Sequence, residues 1–279
     1  MDMMEEMLLP LVSERFRNEP KYREGHIRIV NPLPGRRILG VHVPEMKALA
    51  KNLARGEDAL GIIRGLEAEA WAEGDGAPGR RMTYEELVVW GLMINYMKVP
   101  WNVRAELLRR FVPVLDNWGV CDTFCSNAKW VHADEKTVRK QAYKCTRHEL
   151  WDFMRPYWRS SDEFEVRFAV VVSMVHFLDE QWFPEVCRMI DALDFDVIRS
   201  EYISAKEAKR KGVSGGGVAL GEPPYYVRMA VAWLLATALA KMPDRTREYV
   251  NASRLPDDVK RLYARKARES FRTRTISPF

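Results

Sequence analysis

The chain has 279 residues, 47% hydrophobic and 30% charged, with 44 Lys and Arg against 39 Asp and Glu, 5 His and 4 Cys. This composition excludes a disordered or fibrous chain, and a chain this long buries enough surface to fold without a disulfide or metal staple. The longest apolar runs, 168–178 and 229–240, fall short of the roughly 18 residues that a membrane span needs, and four scattered cysteines make no disulfide framework.

The opening MDMMEEMLLPLV is acidic where a signal peptide is basic, so a soluble, cytoplasmic protein is expected. The charge is uneven along the chain. Residues 200–279 carry 16 Lys and Arg against 8 Asp and Glu, a net of +8 where the whole chain is +5, which leaves −3 for residues 1–199. A basic C-terminal third suits a polyanionic partner, nucleic acid being the commonest.

In chain order, Pro44 suits the first position of a helix and predicts one over 45–55, because it has no N–H to leave unpaired. Thr83 followed by Glu86 forms a capping-box pattern ahead of a helix over 87–96. Pro100 starts another that runs to about 115. Helical spacing continues over 117–131, 134–154, 162–178, 181–193, 223–241, 244–251 and 256–272. Period-two alternation is confined to 27–30 and 38–43.

The predicted class is all-α. Helix pairs about 35–45 residues apart, with no shared consensus, fit a HEAT-like helical-repeat solenoid, although a compact irregular bundle has a similar pattern. Residues 1–37 read as an N-terminal extension with a short helix, and 38–274 as the repeat domain. Residues 195–224 break the rhythm, with Lys206, Lys209, Arg210 and Lys211 ahead of three glycines, 215–217. The glycines lack the Gly-Lys-Ser/Thr ending of a phosphate loop, so a flexible insertion is expected there.

Two charges interrupt apolar stripes. Spacing over 117–131 puts Trp118, Cys121, Asp122 and Cys125 on one face. Over 162–178 the stripe runs Phe164, Arg167, Phe168, Val171 and Val175. A buried unpaired charge costs several kcal/mol. Asp122 and Arg167 therefore either pair with each other or with capping groups in the core, or line a concave surface. Trp233 shares a stripe with Tyr226, Met229, Ala230, Leu234 and Thr237, and periodicity alone makes it a core residue.

Other sites are weaker. Cys121, Cys125 and His132, even with Cys145 and His148 added, lack the close ligand pairs of structural zinc, so no metal is expected. A Cys145–His148 nucleophile lacks an oxyanion site and an orienting third group. His176 reads as a core residue.

Four segments carry a family resemblance. They are Gly40-Val-His-Val-Pro-Glu-Met-Lys, Asn117-Trp118-Gly-Val-Cys-Asp122, Glu165-Val-Arg167-Phe-Ala-Val, and Tyr225-Tyr226-Val-Arg-Met-Ala-Val-Ala-Trp233-Leu-Leu with Lys241-Met-Pro-Asp244. In this order the chain resembles the AlkD-like DNA glycosylases of the DNA alkylation repair family, over about residues 38–270. The resemblance implies HEAT-like repeats and makes Trp118, Asp122, Arg167 and Trp233 cleft residues. The aspartate would be catalytic, the tryptophans would contact the lesion-bearing nucleotide, and the arginine would assist at the backbone. The chain departs from the pattern at Asn117, where some members have a second aromatic, in the 195–224 insertion, and over 1–37.

The expected activity is hydrolysis of the N-glycosidic bond of cationic alkylated purines, N3-methyladenine and N7-methylguanine, in double-stranded DNA. No lysine at the centre suggests a lyase step, no cofactor is needed, and a monomer is expected. Arg228 and Lys129 are expected to meet DNA phosphates, which would make binding fall with salt. The rival reading is a non-catalytic HEAT-like scaffold or a DNA-structure-binding protein.

Overall fold

Carboxylates and guanidiniums buried among apolar side chains tie helix ends to their neighbours. They appear in a computed structural model that describes residues 3–72, 78–132 and 135–279. The described residues form sixteen α-helices, with four strands of two residues each. The protein is all-α.

The chain starts with α1 (Met3–Leu8), α2 (Glu14–Asn18) and α3 (Pro20–Val30). Residues 27–30, expected as a strand-like run, are the last turn of α3. Asn31 closes that turn in the left-handed conformation, at φ 50°. Residues 38–42 are irregular, so neither strand-like run is a strand. Next come α4 (Val43–Leu53), with Pro44 in its first turn, and α5 (Ala59–Ala70), whose Gly61 and Gly65 blur its periodicity in the sequence.

After these follow α6 (Tyr84–Tyr96), α7 (Trp101–Phe111) and α8 (Trp118–Ser126). The expected helix over 134–154 is two helices, α9 (Glu135–Lys140) and α10 (Arg147–Met154). Between them β2 (Cys145–Thr146) pairs in parallel with β1 (Val131–His132). The rest are α11 (Glu163–His176), α12 (Phe183–Asp191), β3 (Ile203–Ser204), α13 (Ala205–Lys211), β4 (Val218–Ala219), α14 (Tyr225–Lys241), α15 (Pro243–Ala252) and α16 (Asp257–Glu269). Among the described residues no helix is long and apolar enough to cross a membrane.

The chain divides into two units. Met1–Thr146 with Glu201–Val218 form the first, and Arg147–Ser200 with Ala219–Phe279 the second. The first unit is built around α6, which is buried from Tyr84 to Asn95 and packs on α4, α8, α5 and α7. A helix apolar on every side needs neighbours on every side. The capping box forms: Thr83 Oγ1 accepts from the Glu86 N–H at 3.2 Å, and Glu86 accepts from the Thr83 N–H at 2.6 Å.

Glu85 is fully buried and accepts from the N–H groups of Leu39 and Gly40 at 2.9 and 2.8 Å. Burial pushes its carboxyl above the usual range, against those bonds. Gly40 (φ 90°) has no alternative, because a Cβ there would lie 2.1 Å from the Phe16 ring. At the other end of α6, Arg104 donates to the carbonyls of Ile94 and Met97, closing acceptors that a helix C-terminus leaves open. Arg104 is 1% exposed, and burial brings it down to about 10.

The second unit is organised by α14, which packs on α11, α15 and α16. The N-terminal half of its contact with α11 is polar. Glu163 Oε1 accepts from the Tyr226 N–H at 2.7 Å, Ser200 donates to the other carboxylate oxygen, and Arg167 Nη1 donates to the Tyr226 carbonyl at 2.6 Å.

Candidate functional site

The expected residues divide between the units: Trp118, Asp122 and Lys129 in the first, Arg167, Arg228 and Trp233 in the second. In the first unit, Asn117 caps α8 by accepting from the Gly119 N–H at 2.7 Å. That cap fixes where the helix starts, and so sets the face on which Trp118 and Asp122 fall one turn apart. Cys121 and Cys125 on the same helix are fully buried, whereas Trp118 and Asp122 are half-buried. An indole and a carboxylate thus sit together at the rim of a packed helix.

The rim is firmly held. The carbonyl of Val30 accepts from both Trp118 Nε1, at 3.1 Å, and Asn117 Nδ2, at 2.9 Å. Residue 116, just ahead of the cap, is an aspartate that pairs with Arg36 and Arg80. Arg36 also donates to the carbonyls of Gly79 and Met82, and Arg80 pairs with Glu201.

Tyr202 completes the brace. Its hydroxyl donates to Asn31 O at 2.9 Å and lies 3.1 Å from Asp116 O. The segment expected as a flexible insertion therefore carries a helix and a strand pair, and 201–218 of it are part of the first unit.

Tyr84 is the neighbour that sequence reasoning missed. A Cβ on Gly119 would lie 2.5 Å from its hydroxyl, so glycine between Trp118 and Asp122 leaves the space the phenol occupies. Burial, with the charges of Glu85 and Asp122, pushes the phenol well above its ordinary range. The signal in the sequence was the helix-disfavoured glycine in the first turn of α8.

Tyr202, Arg36 and Asp116 left no periodic signal, because they bind through backbone carbonyls and ion pairs far apart in the chain. Lys129 is exposed. The four cysteines are buried, and among the described residues no group of three His, Cys, Asp or Glu is placed to hold a metal ion.

In the second unit, Trp233 is half-buried and lines a cavity of about 500 Å³ with Ala236, Thr237, Lys266, Phe271 and Arg272. The Thr237 hydroxyl donates to Trp233 O at 2.9 Å, so the polar residue leaves the stripe intact. Arg167, which the resemblance puts at a DNA backbone, is 3% exposed and donates to the Tyr226 carbonyl. Its place on an apolar stripe is explained by that bond and by Glu163 one turn earlier.

Arg228, expected at phosphates, makes a two-oxygen pair with Asp258, at 3.1 Å to each, and lies over the Phe195 ring. No family model, curated protein or solved structure matches the chain.

Proposed function

We propose that the protein is a monofunctional DNA glycosylase that hydrolyses the N-glycosidic bond of cationic alkylated purines in duplex DNA. One observation carries this reading: the Trp118 indole and the Asp122 carboxylate lie one turn apart on a half-buried edge of α8, whose first turn is held by the Val30 carbonyl and the Tyr202 hydroxyl.

The chemistry needs little more. In N3-methyladenine and N7-methylguanine the base already bears a positive charge, so it leaves neutral with the electron pair of the C1′–N bond, and no general acid is required. A water oxygen bonds to C1′, and its proton passes to Asp122 or to solvent. The carboxylate opposes the positive charge that develops on the sugar in the transition state. Trp118 offers a π face to the cationic base, worth on the order of 0.5–2 kcal/mol.

The resemblance gives Trp233 the same kind of contact, and Trp233 borders a cavity in its own unit. Arg167 contributes in this reading by fixing Tyr226 at the head of the helix that carries Trp233. The HEAT-like stacking of the helices belongs to the same proposal.

The second reading is a non-catalytic scaffold or DNA-structure-binding protein. It is favoured by the engagement of Arg228 with Asp258 and of Arg167 with Tyr226, which leaves both cations held internally. Release of labelled N7-methylguanine from methylated duplex DNA by purified protein separates the two. Release by the wild type that is lost in Asp122→Asn, with an unchanged thermal midpoint, is the expected result. Equal release by the variant ends the assignment of Asp122, and no release by the wild type leaves the scaffold.

A further inference from the structure

The sequence carries four basic residues within 206–211, and the structure puts them on or at the end of a short helix, α13, in a segment hydrogen-bonded at both ends. α13 buries Ala208 alone. Lys206, Lys209, Arg210 and Lys211 are exposed, with Glu207 as the acid among them. Glu207 pairs with Lys211 at 2.6 Å and Arg210 at 3.8 Å, while Lys206 and Lys209 have no acidic partner among the described residues. Ser204, Lys206, Glu207, Lys209 and Arg210 border an open hollow of about 690 Å³. Like charges three and four residues apart weaken a helix in isolation, and α13 has almost no burial to offset that.

Its support comes from both ends of the segment. Asn31 accepts from the Tyr202 hydroxyl at 2.9 Å ahead of α13, and its side-chain amide donates to Val218 O at 2.9 Å behind it. Between these, the Ile203 N–H reaches Gly217 O at 2.9 Å. The residue before Asn31 is Val30, whose carbonyl holds the Trp118 indole. The cationic helix and the indole–carboxylate pair are therefore anchored to adjacent peptides of α3's last turn.

We infer that α13 is a second grip on the sugar–phosphate backbone of duplex DNA, through Lys206, Lys209 and Arg210, in the unit that carries Trp118 and Asp122. The choice of DNA rests on the glycosylase reading; the charge and the anchoring do not. Closely spaced cations on a fixed support match the closely spaced phosphates of a duplex, and each neutralised phosphate releases condensed counterions.

The experiment measures binding of the full-length protein to an undamaged duplex by fluorescence anisotropy across a salt titration. The triple variant Lys206→Ala, Lys209→Ala, Arg210→Ala is expected to lower the slope of log K against log salt by about 2–3, at roughly 0.9 for each phosphate that is no longer neutralised. Alanine is the best helix former, so α13 keeps its structure in that variant. The double variant Lys206→Arg, Lys209→Arg keeps the charge and is expected to keep the slope.

A triple variant with the wild-type slope overturns the inference, as does tighter binding of the wild type to phosphatidylserine vesicles than to duplex. Excision does not enter this measurement. A wild type that releases no methylpurine but shows the slope change ends the glycosylase reading and keeps the grip. Normal release with an unchanged slope does the reverse.

Discussion

Arg167 and Tyr226 are joined by a bond from guanidinium to backbone carbonyl, and Glu163, one turn before Arg167, takes the N–H of the same residue. A single residue's backbone at the head of α14 is thus gripped on both sides by one helix. Burial pushes the Glu163 carboxyl up, while Ser200, the Tyr226 N–H and the Arg167 charge pull it down. Removing one member leaves the other buried without its counter-charge.

Arg167→Met is therefore expected to cost about 3–5 kcal/mol, the range for breaking a buried pair on one side. Replacing both, as Glu163→Gln with Arg167→Met, is expected to cost clearly less than the two single changes added together. Urea unfolding of the four proteins measures this. A cost below about 0.5 kcal/mol for Arg167→Met, the scale of an ordinary surface substitution, means the bond carries no weight.

Gly119 lies between Trp118 and Asp122, and two opposing effects decide what an added methyl does there. Alanine is up to about 1 kcal/mol better than glycine inside a helix. Against that, the new Cβ would stand 2.5 Å from the Tyr84 hydroxyl and 3.1 Å from Asn117 Oδ1, the atom that caps α8. Overpacking of this kind costs roughly 1–3 kcal/mol, so Gly119→Ala is expected to destabilise. Adding Tyr84→Phe removes the closest atom and is expected to restore part of the loss, giving a favourable coupling in a double-mutant cycle. A neutral or stabilising Gly119→Ala shows that the phenol does not fill that space in solution.

What could be read in the sequence follows from how local each cause is. The capping box at Thr83 and Glu86 and the proline at the start of α4 act within one turn, and both were legible. So was the spacing that puts Trp118 and Asp122 on one face. The run 134–154 misled because its helical composition carries no mark of the turn at 141–144, where Cys145 leaves the helical path to pair with Val131. The run 27–30 misled because four apolar-rich residues fit a strand as well as the last turn of a helix. Tyr202, Arg36 and Asp116 act by meeting carbonyls and charges tens of residues away in the chain, and no period in the sequence records such a partner.

His176, at the C-terminal end of α11, makes the acid side of the stability curve testable. Its Nε2 is sealed from solvent and has no hydrogen-bond partner among the described residues, and burial together with the nearby Arg147 charge brings the imidazole down to about 4. The unfolded chain binds this proton near the ordinary value of 6.5, so between 6.5 and 4 the unfolded state holds more protons than the native one. The contribution of His176 is then fully present above about pH 6.5 and is lost progressively as the pH falls toward 4. At 1.36 kcal/mol per unit it is worth up to about 3 kcal/mol. His176→Phe keeps an aromatic ring and removes the titration. It is expected to flatten the loss of stability between pH 6.5 and 4, relative to wild type, in denaturant midpoints taken at half-unit steps. Parallel curves for the two proteins across that window would mean that His176 titrates alike in both states.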